Sequence, residues 1–334
     1  MKKIGLLFIC LVLLTGCGKV NKDKLVDHFI NQVDSSKSYS LDSTMEIYSG
    51  DDTYKYNLKV YYMDDDYFKV EMVNKLTNHE QYILRNNDEV YVVTPSLNKS
   101  YKFVSEWPYN SSQSYILNTI VKDIKDGEIQ DFMEDDNGYS FKVNVNYPNN
   151  SDLSYEKIYF DKKENLTNVV VYNKDDIISI KVDFNDINYK ANLSEEDFDV
   201  NALIDENCCS GRFGDSEKTS SLEDVIYPLY VPINTYLKGK ELVNTENGER
   251  AILTFNGDKN FVLIEEPSSV SNEFEIIPVY GDPLMLSNTV GALSSNSLSW
   301  TVGNIDYYLT SNDLSTSEFL TIADSLNMTV SLEK

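Results

Sequence analysis

The residues best suited to chemistry lie near the N-terminus. The tetrapeptide Leu14-Thr15-Gly16-Cys17 ends an apolar run that begins at Ile4 and follows two lysines. A positive start, a short apolar stretch and small residues before a cysteine are typical of a secretory signal peptide of a bacterial lipoprotein, cleaved before that cysteine. The run is well short of the ~20 residues of a transmembrane span. We therefore predict a signal peptide over residues 1–16 and lipidation of Cys17, which holds the mature protein at the outer face of the cytoplasmic membrane.

Two further cysteines, Cys208 and Cys209, are adjacent in a polar stretch. Neighbouring Cα atoms are ~3.8 Å apart, which is below the usual span of a disulfide. The pair is therefore interpreted as two exposed thiols or a disulfide to a partner, and a strained, reducible bond between the two is the alternative. No other cysteine or histidine is close in sequence, so a metal site is not expected here.

The other titratable residues do not form a catalytic pattern. His28 and His79 are far apart in sequence, and neither is close to a cysteine or an acidic motif at ligand spacing. Carboxylates cluster at residues 64–66, 134–136 and 195–197, but each cluster falls in a predicted turn and lacks the spacing of a calcium loop. No phosphate-binding loop, nucleophile elbow or zinc-binding helix motif occurs. We therefore expect no enzyme activity, no cofactor and no metal.

Charge narrows the range of partners. The chain has a formal net charge of -25 at pH 7. Such an acidic protein repels the phosphates of nucleic acids and anionic lipid headgroups. Nucleic acid is thus excluded as a partner, and attachment to a membrane depends on the lipid at Cys17. Arginine is rare among the basic residues, which suggests an AT-rich, Gram-positive genome.

Periodicity predicts the elements that position these residues. After a polar tether over residues 17–24, apolar residues recur at helical spacing from Asp23 to Ser35. From Tyr39 to Lys190 the period is two, and turn clusters divide the segment into about eleven antiparallel strands. One helix interrupts them, with Asn110 as its cap and Gln113 completing a capping box. A sheet that curls around two amphipathic helices on its concave face is the expected packing.

The second half of the chain predicts a smaller unit. The polar stretch 205–221 is interpreted as a linker between a first domain, residues 25–204, and a second domain, residues 222–334. Asn-Gly turns separate the apolar runs of the second domain. Ser315-Thr316-Ser317-Glu318 is a capping box that opens an amphipathic helix. We expect a small sheet closed by this C-terminal helix, and a mainly β (α+β) protein as a whole.

Several blocks of sequence carry a resemblance to a known family. They are Ile83-Leu84-Arg85-Asn86, the run from Thr94 to Phe103, Glu106-Trp107-Pro108, and the run from Val182 to Tyr189 followed by Phe198. In these blocks the chain resembles the YdcC-like and GerS-like lipoproteins of spore-forming Gram-positive bacteria, within the superfamily of LolA-type carriers. The resemblance implies an unclosed half-barrel whose apolar concave side holds acyl chains. Residues 298–308 and 322–326 are similar to a small C-terminal domain often appended to such lipoproteins.

The resemblance implies a role in the cell envelope, and two classes of function stay open. In the first, the cradle binds a lipid or an acylated protein. In the second, its interior is filled and the domain is a scaffold or regulator of an envelope protein in sporulation, germination or envelope-stress signalling. A continuous apolar cavity would favour the first, whereas a packed interior with an exposed apolar edge strand would favour the second. Trp107 and Pro108 are the candidate site, since the indole either lines the mouth of a cavity or wedges the helix against the sheet.

Overall fold

A computed structural model of the chain describes residues 21–64, 66–209, 222, 224–245, 248–269, 274–302 and 304–327. Its strands form two sheets, one of twelve strands and one of seven. The predicted signal peptide and Cys17 lie outside the described residues. The mainly β fold class is confirmed.

The described chain begins with helix α1 (Lys22–Asp34). The side chain of Asn21 caps this helix by accepting a hydrogen bond from the N–H of Asp23 at 3.1 Å. The predicted first helix is therefore confirmed, but it starts early enough that the last three residues of the predicted tether are helical. One face of α1 is buried against the first sheet by Leu25, Val26, Phe29 and Val33.

Eleven strands of the first sheet come from the predicted first domain, as the alternation indicated. They are β1 (Ser38–Ser49), β2 (Asp52–Met63), β3 (Tyr67–Asn74), β4 (Glu80–Asn86), β5 (Glu89–Thr94), β6 (Lys99–Val104), β7 (Gln130–Glu134), β8 (Gly138–Asn144), β9 (Leu153–Asp161), β10 (Leu166–Asn173) and β11 (Ile178–Asn188). Their order in the sheet is β6-β5-β4-β3-β2-β1-β11-β10-β9-β8-β7. The first six strands thus extend in one direction, and the chain then crosses to β7 and returns until β11 pairs with β1. The sheet does not close.

Helix α2 (Leu117–Asp126) makes the crossing between β6 and β7. The prediction of a cap at Asn110 is wrong, because the helix begins seven residues later and has no side-chain cap. The side chain of Asn110 instead donates to Asp282 at 3.1 Å. The side-chain carbonyl of Gln113 accepts a hydrogen bond from Tyr115 Oη at 2.6 Å. The polar groups that resembled a capping box therefore bond to a distant segment and to a neighbouring tyrosine.

Helices α1 and α2 cover the same face of the first sheet, which we call the inner face. Phe29 of α1 packs edge-to-face on Phe160 of β9, with ring centroids 5.4 Å apart. Tyr39 of β1 is fully buried; its hydroxyl donates to Asn118 Oδ1 at 2.9 Å and accepts from the N–H of Leu117 at 3.2 Å. Both predicted helices therefore lie on the inner face, and they fill much of it.

A further helix, α3 (Val200–Cys209), was not predicted. It follows a short 3-10 turn and packs on the outer face of β4 and β5, where Val200 and Leu203 contact Tyr82 and Leu84. The first five residues of the predicted linker 205–221 are therefore helical, and Cys208 and Cys209 end α3. The remainder of that linker lies outside the described residues.

The second sheet and its closing helix agree with the sequence analysis. The elements are β12 (Thr235–Thr245), β13 (Gly248–Gly257), β14 (Phe261–Pro267), β16 (Asp282–Met285), β17 (Val290–Leu293), β18 (Ser297–Val302), β19 (Ile305–Thr310) and α4 (Thr316–Asn327). The strand order is β12-β13-β14-β19-β18-β17-β16. The predicted capping box is present, since Glu318 Oε2 accepts from the N–H of Ser315 at 2.7 Å and Ser315 Oγ accepts from the N–H of Glu318 at 3.3 Å.

One strand of the C-terminal half joins the other sheet. Strand β15 (Glu275–Val279) pairs in parallel with β6 and becomes the twelfth strand of the first sheet. The N–H of Glu275 donates to the carbonyl of Asn98 at 2.9 Å. Pro278 is tolerated here because an edge strand needs hydrogen bonds on only one side. The two predicted domains are thus joined by backbone pairing.

Candidate functional site: a cavity between the two sheets

A cavity of about 520 Å³ lies where the inner face of the first sheet meets the C-terminal half. This volume falls within the about 300–1,000 Å³ that is typical of small-molecule sites. Apolar side chains from both halves form much of its lining: Ile47, Ile83, Trp107, Leu153, Ile180, Leu229, Met285, Leu286 and Leu320. The site therefore exists only because the two halves are packed together.

Trp107 connects this cavity to the core. The residue lies between β6 and α2, is 2% exposed, and packs edge-to-face on Phe68 with ring centroids 6.2 Å apart. Its backbone is fixed by Arg85, whose Nη1 donates to the carbonyl of Trp107 at 2.9 Å. The indole lines the cavity, whereas Pro108, joined to it by a cis peptide bond, is buried beside it. The structure thus places Trp107 in the core and in the cavity wall at once.

The connection from β16 to β17 closes the deep part of the half-barrel. Tyr56 Oη donates to the carbonyl of Ser287 at 2.7 Å. The side-chain carbonyl of Gln81 accepts from Thr289 Oγ1 at 3.1 Å and from the N–H of Val290 at 3.0 Å. Every one of these groups is buried. The chain itself therefore covers the inner face near β2 and β4. The sequence alone left open whether the interior of the half-barrel is filled or empty.

Helix α4 forms the opposite wall of the cavity and carries Asp324. Asp324 Oδ1 accepts from the N–H of Ser287 at 3.1 Å, and burial raises the pKa of this carboxyl above its usual value. Ser317, also on α4, donates to Asp152 Oδ2 in the loop between β8 and β9 at 3.2 Å. Both acids line the cavity, while none of the described lining residues is a lysine, arginine or histidine. The lining is therefore largely apolar and includes two acidic residues.

A pair of buried acids lies behind this site. Glu156 of β9 is fully buried, and burial together with the nearby Asp123 raises its pKa well above the usual value. Burial likewise raises the pKa of Asp123, on α2, to about 6. Tyr147 lines the cavity, and its pKa is raised by burial and by Glu156. The sequence could have indicated the burial of Glu156, because this residue alternates in phase with the core residues Ile158 and Phe160.

The other residues considered in the sequence analysis lie apart from the cavity. His28 is exposed on α1, and His79, whose pKa is lowered by burial, precedes β4. Within the part of the chain that the structure describes, no group of three or more potential ligands could hold a metal ion. No described helix is both long and apolar enough to span a bilayer. The interpretation of Cys208 and Cys209 as two exposed thiols or a disulfide to a partner stays a prediction.

The first sheet is unclosed, carries two helices on its inner face and is joined to a smaller sheet, with a cavity between the two sheets. The family described as "Sporulation protein YdcC-like" matches residues 1–198. Sporulation protein YdcC of Bacillus subtilis (strain 168) is 32% identical over 334 residues, and the match covers 98% of each chain. The chain therefore belongs to the family of YdcC-like sporulation proteins.

The solved structures that match the chain share little sequence with it. A chain in the complex of the CwlD amidase from Clostridioides difficile with the GerS lipoprotein is 15% identical, with a TM-score of 0.32 and coverage of 52% of this chain and 98% of that chain. A chain in the MucA/MucB complex of Pseudomonas aeruginosa is 10% identical, with a TM-score of 0.31 and coverage of 89% and 97%. A LolA superfamily protein from Nitrosomonas europaea is 10% identical, with a TM-score of 0.33 and coverage of 55% and 99%. The family assignment rests on the sequence matches.

Proposed function

We propose that this protein is a membrane-anchored, non-catalytic lipoprotein of the cell envelope of a sporulating Gram-positive bacterium, and that it holds an acyl chain in the cavity between its sheets. The chain would belong to a lipid or to an acylated protein. The observation that carries this proposal is the cavity of about 520 Å³, lined by Trp107, Leu153 and Leu320 among other apolar residues. The family assignment supports a role in sporulation.

The proposed site is at the mouth of the half-barrel, because the centre is filled by α1, α2 and the β16–β17 connection. Leu229 and Tyr230 line the cavity and remain 60% and 37% exposed. They provide an apolar path from the surface to the interior. Each methylene group of an acyl chain buried there would contribute ~0.8 kcal/mol, so a chain of ordinary length would bind without a covalent bond.

Native mass spectrometry of residues 20–334, purified without detergent, tests the proposal. We expect a bound mass that solvent extraction identifies as a lipid or acylated species. Leu229→Asp should abolish it by placing a charge at the entrance. Leu76→Asp is the matched control, because Leu76 is 77% exposed and does not line the cavity. An unliganded mass that persists after incubation with lipids and acylated peptides would refute acyl-chain binding.

Anchoring through Cys17 is tested separately by metabolic labelling with an alkyne fatty acid. The wild-type chain should incorporate the label, and Cys17→Ser should not. Cys10→Ser is the control, because that cysteine precedes the proposed cleavage site. Label retained in Cys17→Ser would rule out this residue as the lipidation site.

A protein-interaction scaffold is the second candidate function, and the edge strand β12 favours it. Of its eleven residues only Thr235 is buried, and it pairs with β13 alone. Tyr236 and Leu242 are 69% and 48% exposed. A long edge with unpaired backbone groups accepts a strand from a partner. If scaffolding dominates, Leu242→Lys should lower spore yield while Leu229→Asp leaves it unchanged; the reverse result supports ligand binding.

A further inference from the structure

The charged residues in the described lining of the cavity all have the same sign. Asp152 and Asp324 line it, and among the described residues neither carboxylate has a salt bridge. Among the described lining residues, the only other ionisable groups are tyrosines. The net charge of -25 of the whole chain makes the electrostatic potential in the cavity more negative. An anionic group entering the cavity would therefore be repelled, and it would find no basic partner among the described lining residues.

The aromatic side chains in the lining also favour a cationic ligand. Trp107, Tyr115 and Tyr147 all contribute to the cavity surface. The faces of aromatic rings carry partial negative charge and attract cations. Lysine or arginine contacts the rings of several other tyrosines in this protein, such as Lys142 on Tyr155 at 3.8 Å. No such contact occurs at these three rings among the described residues.

We infer that the cavity selects an amphiphile whose polar end is an ammonium group, with the aliphatic chain against Trp107 and Leu320 and the ammonium near Asp324. This inference rests on the proposed function, because it names the class of ligand for the same site. Asp324 is suited to the role since α4 holds it at the cavity wall and one of its oxygens is fixed by the N–H of Ser287. The ammonium would come either from an amine-bearing lipid or from the free amino terminus of an acylated peptide.

Isothermal titration of residues 20–334 with three amphiphiles of equal chain length tests the inference. The ligands are decyltrimethylammonium, decyl glucoside and decanoate, each below its micellar concentration. We expect the cation to bind most tightly, the neutral glucoside less tightly and the anion least. Asp324→Asn should reduce the ratio of cation to glucoside affinity by about tenfold, because a partly buried charge pair is worth several-fold more than a pair in water. The asparagine oxygen can still accept the Ser287 N–H, so the wall should remain intact.

Two variants separate this site from general attraction to an acidic protein. Asp27→Asn removes one exposed carboxylate from α1 and should leave the ratio unchanged. Leu229→Ala removes apolar surface at the entrance without adding a charge, so it should weaken binding of all three ligands by a similar factor. If the glucoside binds as tightly as the cation, or if Asp324→Asn leaves their ratio unchanged, the inference is overturned while acyl-chain binding stands. If none of the three binds, both fail.

Mass analysis of the ligand released from protein purified from cells distinguishes the two sources. An amine-bearing lipid yields a mass that partitions into organic solvent and contains no peptide fragments. An acylated peptide yields amino-acid fragment ions together with a fatty-acyl mass. A released ligand that is anionic and lacks an amine would contradict the assignment of an ammonium end.

Discussion

Replacing Glu265 by glutamine should raise the stability of the protein at neutral and alkaline pH. Glu265 lies on β14 and is fully buried. Its Oε2 accepts from the N–H of Ile226 at 3.0 Å, whereas Oε1 has no hydrogen-bond partner among the described residues. Its neighbours across the sheet are Ala251 and Tyr307. Burial in this apolar setting raises the pKa of Glu265 from its usual 4.5 to about 7.

The size and sign of the effect follow from proton linkage. A pKa raised from 4.5 to about 7 corresponds to about 3 kcal/mol, since each pKa unit is worth about 1.36 kcal/mol. Between these two pH values the folded protein keeps the proton on Glu265 and the unfolded chain has released it. The free energy of unfolding therefore falls as the pH rises through this interval and is level above it, as far as Glu265 is concerned. Glutamine does not titrate, so residue 265 no longer lowers the free energy of unfolding of the variant as the pH rises.

Urea unfolding at pH 5, 6, 7 and 8 measures the effect. The difference in unfolding free energy between Glu265→Gln and the wild type should grow with pH by about 3 kcal/mol in favour of the variant. Other titrating groups are common to both proteins and cancel in the difference. Glu266→Gln is the matched control on the opposite face, where the carboxylate pairs with Arg250 at 2.6 Å. Losing that exposed pair should cost no more than about 1 kcal/mol. A difference between Glu265→Gln and the wild type that is independent of pH would refute the reasoning.

Three further substitutions test the packing around the cavity. Glu156→Gln should be more stable than the wild type at pH 8 and lose that advantage at pH 5, because burial and the nearby Asp123 raise the pKa of Glu156. An equal gain in unfolding free energy at both pH values in urea would contradict this. Gln81→Ala leaves the buried N–H of Val290 without its acceptor, so the unfolding free energy should fall by about 1–3 kcal/mol, and an unchanged urea midpoint would show that the bond is unimportant. Gly281→Ala should lower the melting temperature, because this residue has φ of 114° and an added Cβ would lie 1.9 Å from a backbone oxygen of β17. Gly239→Ala is its control, since a Cβ there meets nothing within 4 Å.

The strands were predictable because burial of one face imposes a period of two on the sequence. The alternation in β11, for example, places Val182 on the inner face, where it is fully buried between β1 and β10. The helix α4 was predictable for a different reason, since the bonds of its capping box lie within four consecutive residues. In both cases the information is local, so a single sequence suffices.

The structural features that the sequence analysis missed or predicted wrongly depend mostly on contacts between residues distant in sequence. Asn110 and Gln113 have the spacing of a capping box, but Asn110 bonds to Asp282, which is 172 residues away in sequence. Helix α3 was missed because few apolar residues mark its buried side, among them Val200 and Leu203. Strand β15 is only five residues long and includes Pro278, so its pairing with β6 could not be derived from its own composition. The cavity likewise has no local signature, because its walls come from segments that meet only in the folded protein.

The block of sequence from Thr94 to Pro108, which carries the family resemblance, has a structural role that the resemblance alone did not imply. Thr94 Oγ1 accepts from Gln81 Nε2 at 3.1 Å, in the same network that holds the β16–β17 connection. Lys99 is 5% exposed and lies 3.7 Å from Asp306 of the second sheet. Strand β6 accepts β15, and Trp107 lines the cavity. Lys99, β6 and Trp107 therefore contact the C-terminal half or line the cavity, and Thr94 bonds to a residue that does. The block is better explained by the junction of the two sheets than by the half-barrel alone, and the proposed binding site includes residues from both halves of the chain.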